Sequence, residues 1–263
     1  MDSQEEPGEF TIEAPPDRRA EVEALLADDQ TVLGRYRQYT AEGLTREEMS
    51  EREGLTTLGW TSNYQSLLEC LRDGKVTTSP TVARQHAARL RSWLKQKPLS
   101  DSLRASLIEQ EKVLVAVAED REAQADEDAA AVAKTEQAES SGTPGVYVYT
   151  LPHYLKHRYD PDTGRTLLKV GHSSVDVYYR TGSQGRLTAL PEDPILLRIY
   201  PCEDSRAMEQ KFYAWLRDAD HPGSRAKRGG AEWYVTSTKF LDRVARAHGL
   251  DVVEVNEDES TAE

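Results

Sequence analysis

The chain has 263 residues, of which 38% are hydrophobic and 30% charged, and it carries a net charge of −13. That length holds one large domain or two small ones, and the polar excess points to folded parts diluted by polar segments. No apolar run reaches about 18 residues, so no membrane span is expected, and the acidic start MDSQEEPGEF has no apolar core of a secretory signal. Cys70 and Cys202 lie far apart and do not make a disulfide framework, which suits a reducing cytoplasm.

The acidic balance is uneven. Residues 1–29 carry −8, residues 119–139 carry −6 and residues 250–263 carry −6. Together these hold −20, which leaves +7 on the rest of the chain. Acidic segments of this kind are commonly solvated, and they could compete with DNA for a basic face. The expected organisation is an acidic disordered tail (1–20), a helical domain (21–119), an acidic linker (120–142), a small α+β domain (143–250) and an acidic tail (251–263).

Pro7, Pro15 and Pro16 sit among acids in the first 20 residues, so no packed structure is expected there. Helical patterning then runs through 21–43, 44–53, 62–74, 79–96 and 100–120. In the fourth piece Val82, His86, Leu90 and Leu94 recur at four-residue steps, beside Ala83 and Ala87. Ser79 before Pro80 reads as an N-cap followed by proline at the first helical position. Ser100 opens the next helix, with Leu103, Leu107 and Val113 as core candidates. Residues 43–74 have the outline of a helix-turn-helix, with Trp60 and Tyr64 either in its core or near bases; a protein partner for this helical region is the other reading.

Residues 120–142 contain no large apolar side chain except Val132 and read as a linker, or as the frayed end of the preceding helix. The pattern then changes. GVYVYT (145–150), TLLKVG (166–171) and ILLRIY (195–200) read as strands, and a turn signal, DPDTG, lies between the first two. Two helices follow: 204–218, with Met208, Phe212, Trp215 and Leu216 on one face, and 237–248, opened by Ser237 and closed by Gly249. Strands followed by helices give an α+β order.

The chemistry-bearing residues come in a fixed order. Gly145-Val146-Tyr147 is followed by Lys169-Val170-Gly171, then Arg180, then RLTALP beginning at Arg186, then Glu209 on a helix, then Glu232-Trp233-Tyr234. This order and spacing over about 105 residues resembles the GIY-YIG nuclease superfamily, in a bacterial and phage branch where the second motif reads Lys-Ile-Gly. The resemblance implies a three-stranded antiparallel sheet flanked by helices, and a DNA endonuclease that uses Mg2+ or Mn2+. It implies Glu209 as the metal ligand, Tyr147 as the group that positions or deprotonates water, and Arg180 or Arg186 as the phosphate-binding arginine. Lys169 stands where the motif tyrosine would be.

Chemistry gives these residue types a reason. Phosphodiester cleavage requires charge neutralisation on phosphate and an activated water. Magnesium keeps most of its waters and takes one or two carboxylates, so a single glutamate suffices. A guanidinium suits bidentate phosphate contacts. His172 follows Gly171 directly and reaches the same neighbourhood. Lys211, Arg217, Arg225, Lys227 and Arg228 form a basic patch suited to DNA, or a solubilising surface. Each residue also has a plainer reading: one of Tyr147 and Tyr149 in the core, Lys169 and Arg180 as solvated bases, Glu209 as a surface acid. The function expected is therefore a metal-dependent DNA endonuclease with an N-terminal helical targeting module. A non-catalytic DNA-binding or protein-interaction module with the same fold is the alternative.

Overall fold

The computed structural model describes residues 10–12, 14–55, 57–160, 163–173, 192–223 and 232–257. The chain divides into two units, one built from residues 1–54 and 58–127, the other from 55–57 and 128–263.

In the first unit, β1 (Phe10–Thr11) pairs with β2 (Lys75–Val76), and the helices are α1 (Arg18–Ala27), α2 (Val32–Glu42), α3 (Arg46–Glu53), α4 (Gly59–Asp73), α5 (Pro80–Gln96) and α6 (Asp101–Ala118). Their starts follow the sequence signals. Thr45 and Glu48 form a capping box on α3, and Ser79 and Ser100 accept from the amides of Val82 and Leu103. Leu90, Leu103, Leu107 and Leu114 are fully buried, while Leu94 and Val113 pack at the edge of the same core.

Residues 1–20 are not wholly tail. Arg18 opens α1 and is buried; its guanidinium donates to Leu71 O at 2.7 Å, Cys70 O at 2.8 Å and Ser106 Oγ at 2.9 Å, and also to Gln110. A charged head with this many acceptors anchors α1 to the end of α4 and to α6. Acidity and proline content around it concealed that role.

The expected linker is helical: α7 (Arg121–Ser140) runs across the boundary, and its part from Asp128 belongs to the second unit. Its alanine, glutamate, glutamine and lysine are strong helix formers; one narrow side, with Ala131, Thr135, Ala138 and Glu139, meets the sheet and most of the rest is exposed. After it come β3 (Gly145–Thr150), α8 (Pro152–Lys156), β4 (Thr166–Ser173), β5 (Ile195–Pro201), α9 (Ser205–Asp218), β6 (Trp233–Thr236), α10 (Thr238–Ala247) and β7 (Val253–Glu254). The three expected strands share one antiparallel sheet, and β6 and β7 extend it to five in the order β6-β4-β3-β5-β7. The expectation of three strands missed both edges. β6 lies inside the Trp-Tyr motif. β7 has two residues and lies in a stretch assigned to the acidic tail.

All six residues of β3 are buried, because both of its faces are covered. Val146 and Val148 join Leu168, Val170, Phe212, Leu216, Leu241 and Val244 in a core under α9 and α10. Tyr147 and Tyr149 face the other way with Leu196 and Ile199, against Ala138 of α7. Thr135 of α7 accepts from Leu196 N, and Tyr149 donates to Glu139 at 2.6 Å. At the far edge, buried Arg198 reaches Glu254 at 2.8 Å and Asn256 O at 2.8 Å, which fixes β7.

Two glycines allow this hairpin to close. A Cβ on Gly145 would lie 2.4 Å from Tyr200 O, and one on Gly171 would lie 2.7–2.8 Å from the ring tip of Tyr147. Tyr147 is only 2% exposed, so its ring has little room to retreat. Gly145→Ala and Gly171→Ala should each destabilise the second unit by about 1–3 kcal/mol through overpacking. Urea unfolding of either variant at the parent midpoint would contradict the fit.

His86 makes a separate prediction. It is 3% exposed among Ala83, Ala87 and Leu90, and burial lowers its pKa to about 4 from 6.5. Below 6.5 the unfolded chain takes up a proton that the folded chain refuses until about 4. Stability should therefore fall as pH drops through that window, by about 3 kcal/mol in total. His86→Leu should flatten this part of the urea-midpoint profile; matching slopes for parent and variant would rule out His86 as the source.

Candidate functional site

The register of β3 on β4 decides which motif residues can meet. Tyr147 pairs with Gly171, Tyr149 with Lys169, and Val146 with His172. Side chains alternate along a strand. Lys169 therefore falls on the α7 side with the two tyrosines, and His172 on the side covered by α9 and α10. Glu209 is on α9. The described members of the expected constellation thus divide into two sets on opposite faces of the sheet: Tyr147 with Lys169, and His172 with Glu209.

The second set is a closed polar cluster. Glu209 is 6% exposed, so it is not a surface acid. Its Oε2 lies 2.9 Å from His172 Nδ1, an ion-pair distance. Its Oε1 accepts from the Tyr213 hydroxyl at 3.0 Å, and that hydroxyl also lies 2.9 Å from Val170 O. Burial, then the Glu209 charge, holds the Tyr213 phenol far above its ordinary pKa, so it stays a donor. The Tyr234 ring lies 5.5 Å from that of Tyr213. Burial raises the Tyr234 pKa, with Arg217 opposing the shift and Glu209 adding to it.

Around this cluster, Arg206, Gln210, Tyr213 and Arg217 recur at the i, i+4, i+7, i+11 spacing of one helix side. Arg206 and Arg217 are exposed along that side, and Lys211 is exposed elsewhere on α9. Tyr213 and Arg206 were missed in the sequence; their places three residues before and four after Glu209, one helical turn each way, were the available signal. On the other face, Lys169 Nζ lies 3.3 Å from Glu232 Oε2, so the second and last motifs meet as an ion pair. His153 and His157 stay together on and just after α8, with ring centroids 5.0 Å apart. Arg180, Arg186, Arg225, Lys227 and Arg228 lie outside the described residues.

Among the described residues no group of three or more His, Cys, Asp or Glu is placed to hold a metal ion. Glu209 is the one carboxylate of the cluster, and its 6% exposure leaves little room for a cation with a full water shell. Each carboxylate oxygen makes one contact, and an ionised carboxylate offers about four lone-pair positions.

In the first unit, α3 and α4 are the two helices of the expected helix-turn-helix outline. Tyr64 is in the core, and Trp60 is half-buried with its Nε1 donating to Ser50 at 2.8 Å. Ser62 and Gln65 face solvent on α4. No helix among the described residues is long and apolar enough to cross a membrane. Comparison with protein-family models, with curated proteins and with solved structures finds no match to this chain.

Proposed function

We propose that the second unit is a DNA endonuclease domain of the GIY-YIG kind, hydrolysing phosphodiesters with Mg2+ or Mn2+, and that the helical unit targets it. The observation that carries this reading is the His172–Glu209 contact at the end of β4, beside the Tyr213 hydroxyl. A buried carboxylate against one imidazole nitrogen is how many hydrolytic sites hold a base.

The roles follow from the atoms. Glu209 lies against Nδ1, which favours the proton there and leaves Nε2 as the acceptor for a proton from the attacking water. Tyr213 donates to the other carboxylate oxygen and orients Glu209. Arg217 and Arg206 bind phosphate oxygens from the exposed side of α9. Glu209 would also hold the divalent cation, which supplies Lewis-acid polarisation of the phosphate when bound. Tyr147 takes no part in this scheme. Its buried ring packs the hairpin on the opposite face, so the water-activating role passes to His172.

The burial of Glu209 favours a second reading, a nucleic-acid-binding module in which the same cluster is only a structural tie. Supercoiled plasmid separates the two. With Mg2+ or Mn2+ the parent should nick it and EDTA should stop the reaction. His172→Ala should slow nicking by about 10²–10⁴-fold, the usual worth of a general base, and Glu209→Gln by at least as much. Lys169→Met should stay within about threefold, since Lys169 pairs with Glu232 on the opposite face of the sheet from His172 and Glu209. No nicking by the parent with either metal, or full nicking by Glu209→Gln, sinks the hydrolytic reading.

A further inference from the structure

The two helices that cover the sheet have an unusual charge distribution for a chain of net −13. Their six cations, Arg206, Lys211, Arg217, Lys239, Arg243 and Arg246, all reach solvent, while Glu209 and Asp242 are buried. Asp218 is the one exposed acid of α9 and α10. On α10, Lys239, Arg243 and Arg246 stand at i, i+4 and i+7, a row of positive charge about 10 Å long.

Trp215 lies on the outer side of α9, one turn after Lys211, and is 44% exposed. Its Nε1 donates to His248 Nε2 at 3.1 Å, across the seam between the helices. The indole's one polar atom is therefore satisfied and its orientation set, yet nearly half of the residue faces water. A lone aromatic in a charged setting is not the contiguous apolar patch that a protein partner buries. An exposed aromatic face one turn from Lys211, on a pair of helices whose exposed charges are almost all positive, suits an unstacked base and its phosphates.

We infer that the outer face of α9 and α10 binds single-stranded nucleic acid, with Trp215 as the stacking platform and Lys239, Arg243 and Arg246 following the backbone. The inference shares with the nuclease reading only the class of partner. It requires no hydrolysis, because the surface lies on the solvent side of the helices and Glu209 on the sheet side.

The test is fluorescence anisotropy of the full chain with labelled oligothymidylate of about 20 nucleotides, longer than a typical site of roughly 4–16. EDTA is present, and salt is varied. The parent should bind it more tightly than a hairpin duplex of the same length. Trp215→Ala should weaken binding by about 5–100-fold with an unchanged salt slope, as expected for one stacked base. Arg243→Gln with Arg246→Gln should make the log–log salt slope shallower by about 1.4. Circular dichroism melting checks that the exposed positions leave the fold intact. No binding by the parent, equal affinity for the duplex, or parent-like affinity in Trp215→Ala overturns the inference. Oligothymidylate binding by a chain that never nicks plasmid removes the hydrolytic reading and keeps this surface. Nicking without oligothymidylate binding does the reverse.

Discussion

Burial of β3 on both faces is the constraint from which the second unit follows. A central strand with no solvent side must satisfy its backbone through two neighbours and find a separate apolar partner for each parity of side chain. The valines take the α9–α10 side and the tyrosines take the α7 side. Tyrosine on a buried face must also place its hydroxyl. Tyr149 does so on Glu139, and this requirement explains why a helix with almost no large apolar residue lies against the sheet. The ring of Tyr147 occupies the space that any side chain at position 171 would need, so the first motif tyrosine and the second motif glycine are two parts of one packing solution.

The same parity governs where chemistry can occur. Pairing of Tyr147 with Gly171 places the next residue, His172, on the opposite face. Shifting the register by one residue would put Gly171 or Ser173 in the place of His172 beneath α9. Glu209 would then lose its imidazole partner.

Much of this architecture is legible in the residues. GVYVYT, TLLKVG and ILLRIY announce strands through β-branched and aromatic content, and Ser79, Ser100 and Ser237 mark helix starts that their hydroxyls do cap. The edges are harder. A strand as short as Val253–Glu254 has no pattern of its own and exists because buried Arg198 needs partners there. Helix α7 hides because its contacts with the sheet use alanine, threonine and glutamate, which also compose linkers. In the site, Glu209 and His172 were both visible, but their meeting was not. Linear spacing carries no record of strand parity, and only the cross-strand register turns an ordered set of motifs into two faces.

Arg198 also determines how far the second unit extends. Its guanidinium is held by Glu254, by Asn256 O and by Asp242 at 3.5 Å. Asn256 in turn donates to Leu196 O on β5 and to Ala131 O on α7, so one short segment near the C-terminus ties the strand edge to the helix on its far side. Cutting the chain at the last turn of α10 would remove Glu254 and Asn256 from this buried cation and leave it only Asp242 and Leu197 O, a costly loss for a buried charge. A fragment that keeps these ties must start before Ala131 and run through Asn256, beyond the boundaries that motif spacing suggests.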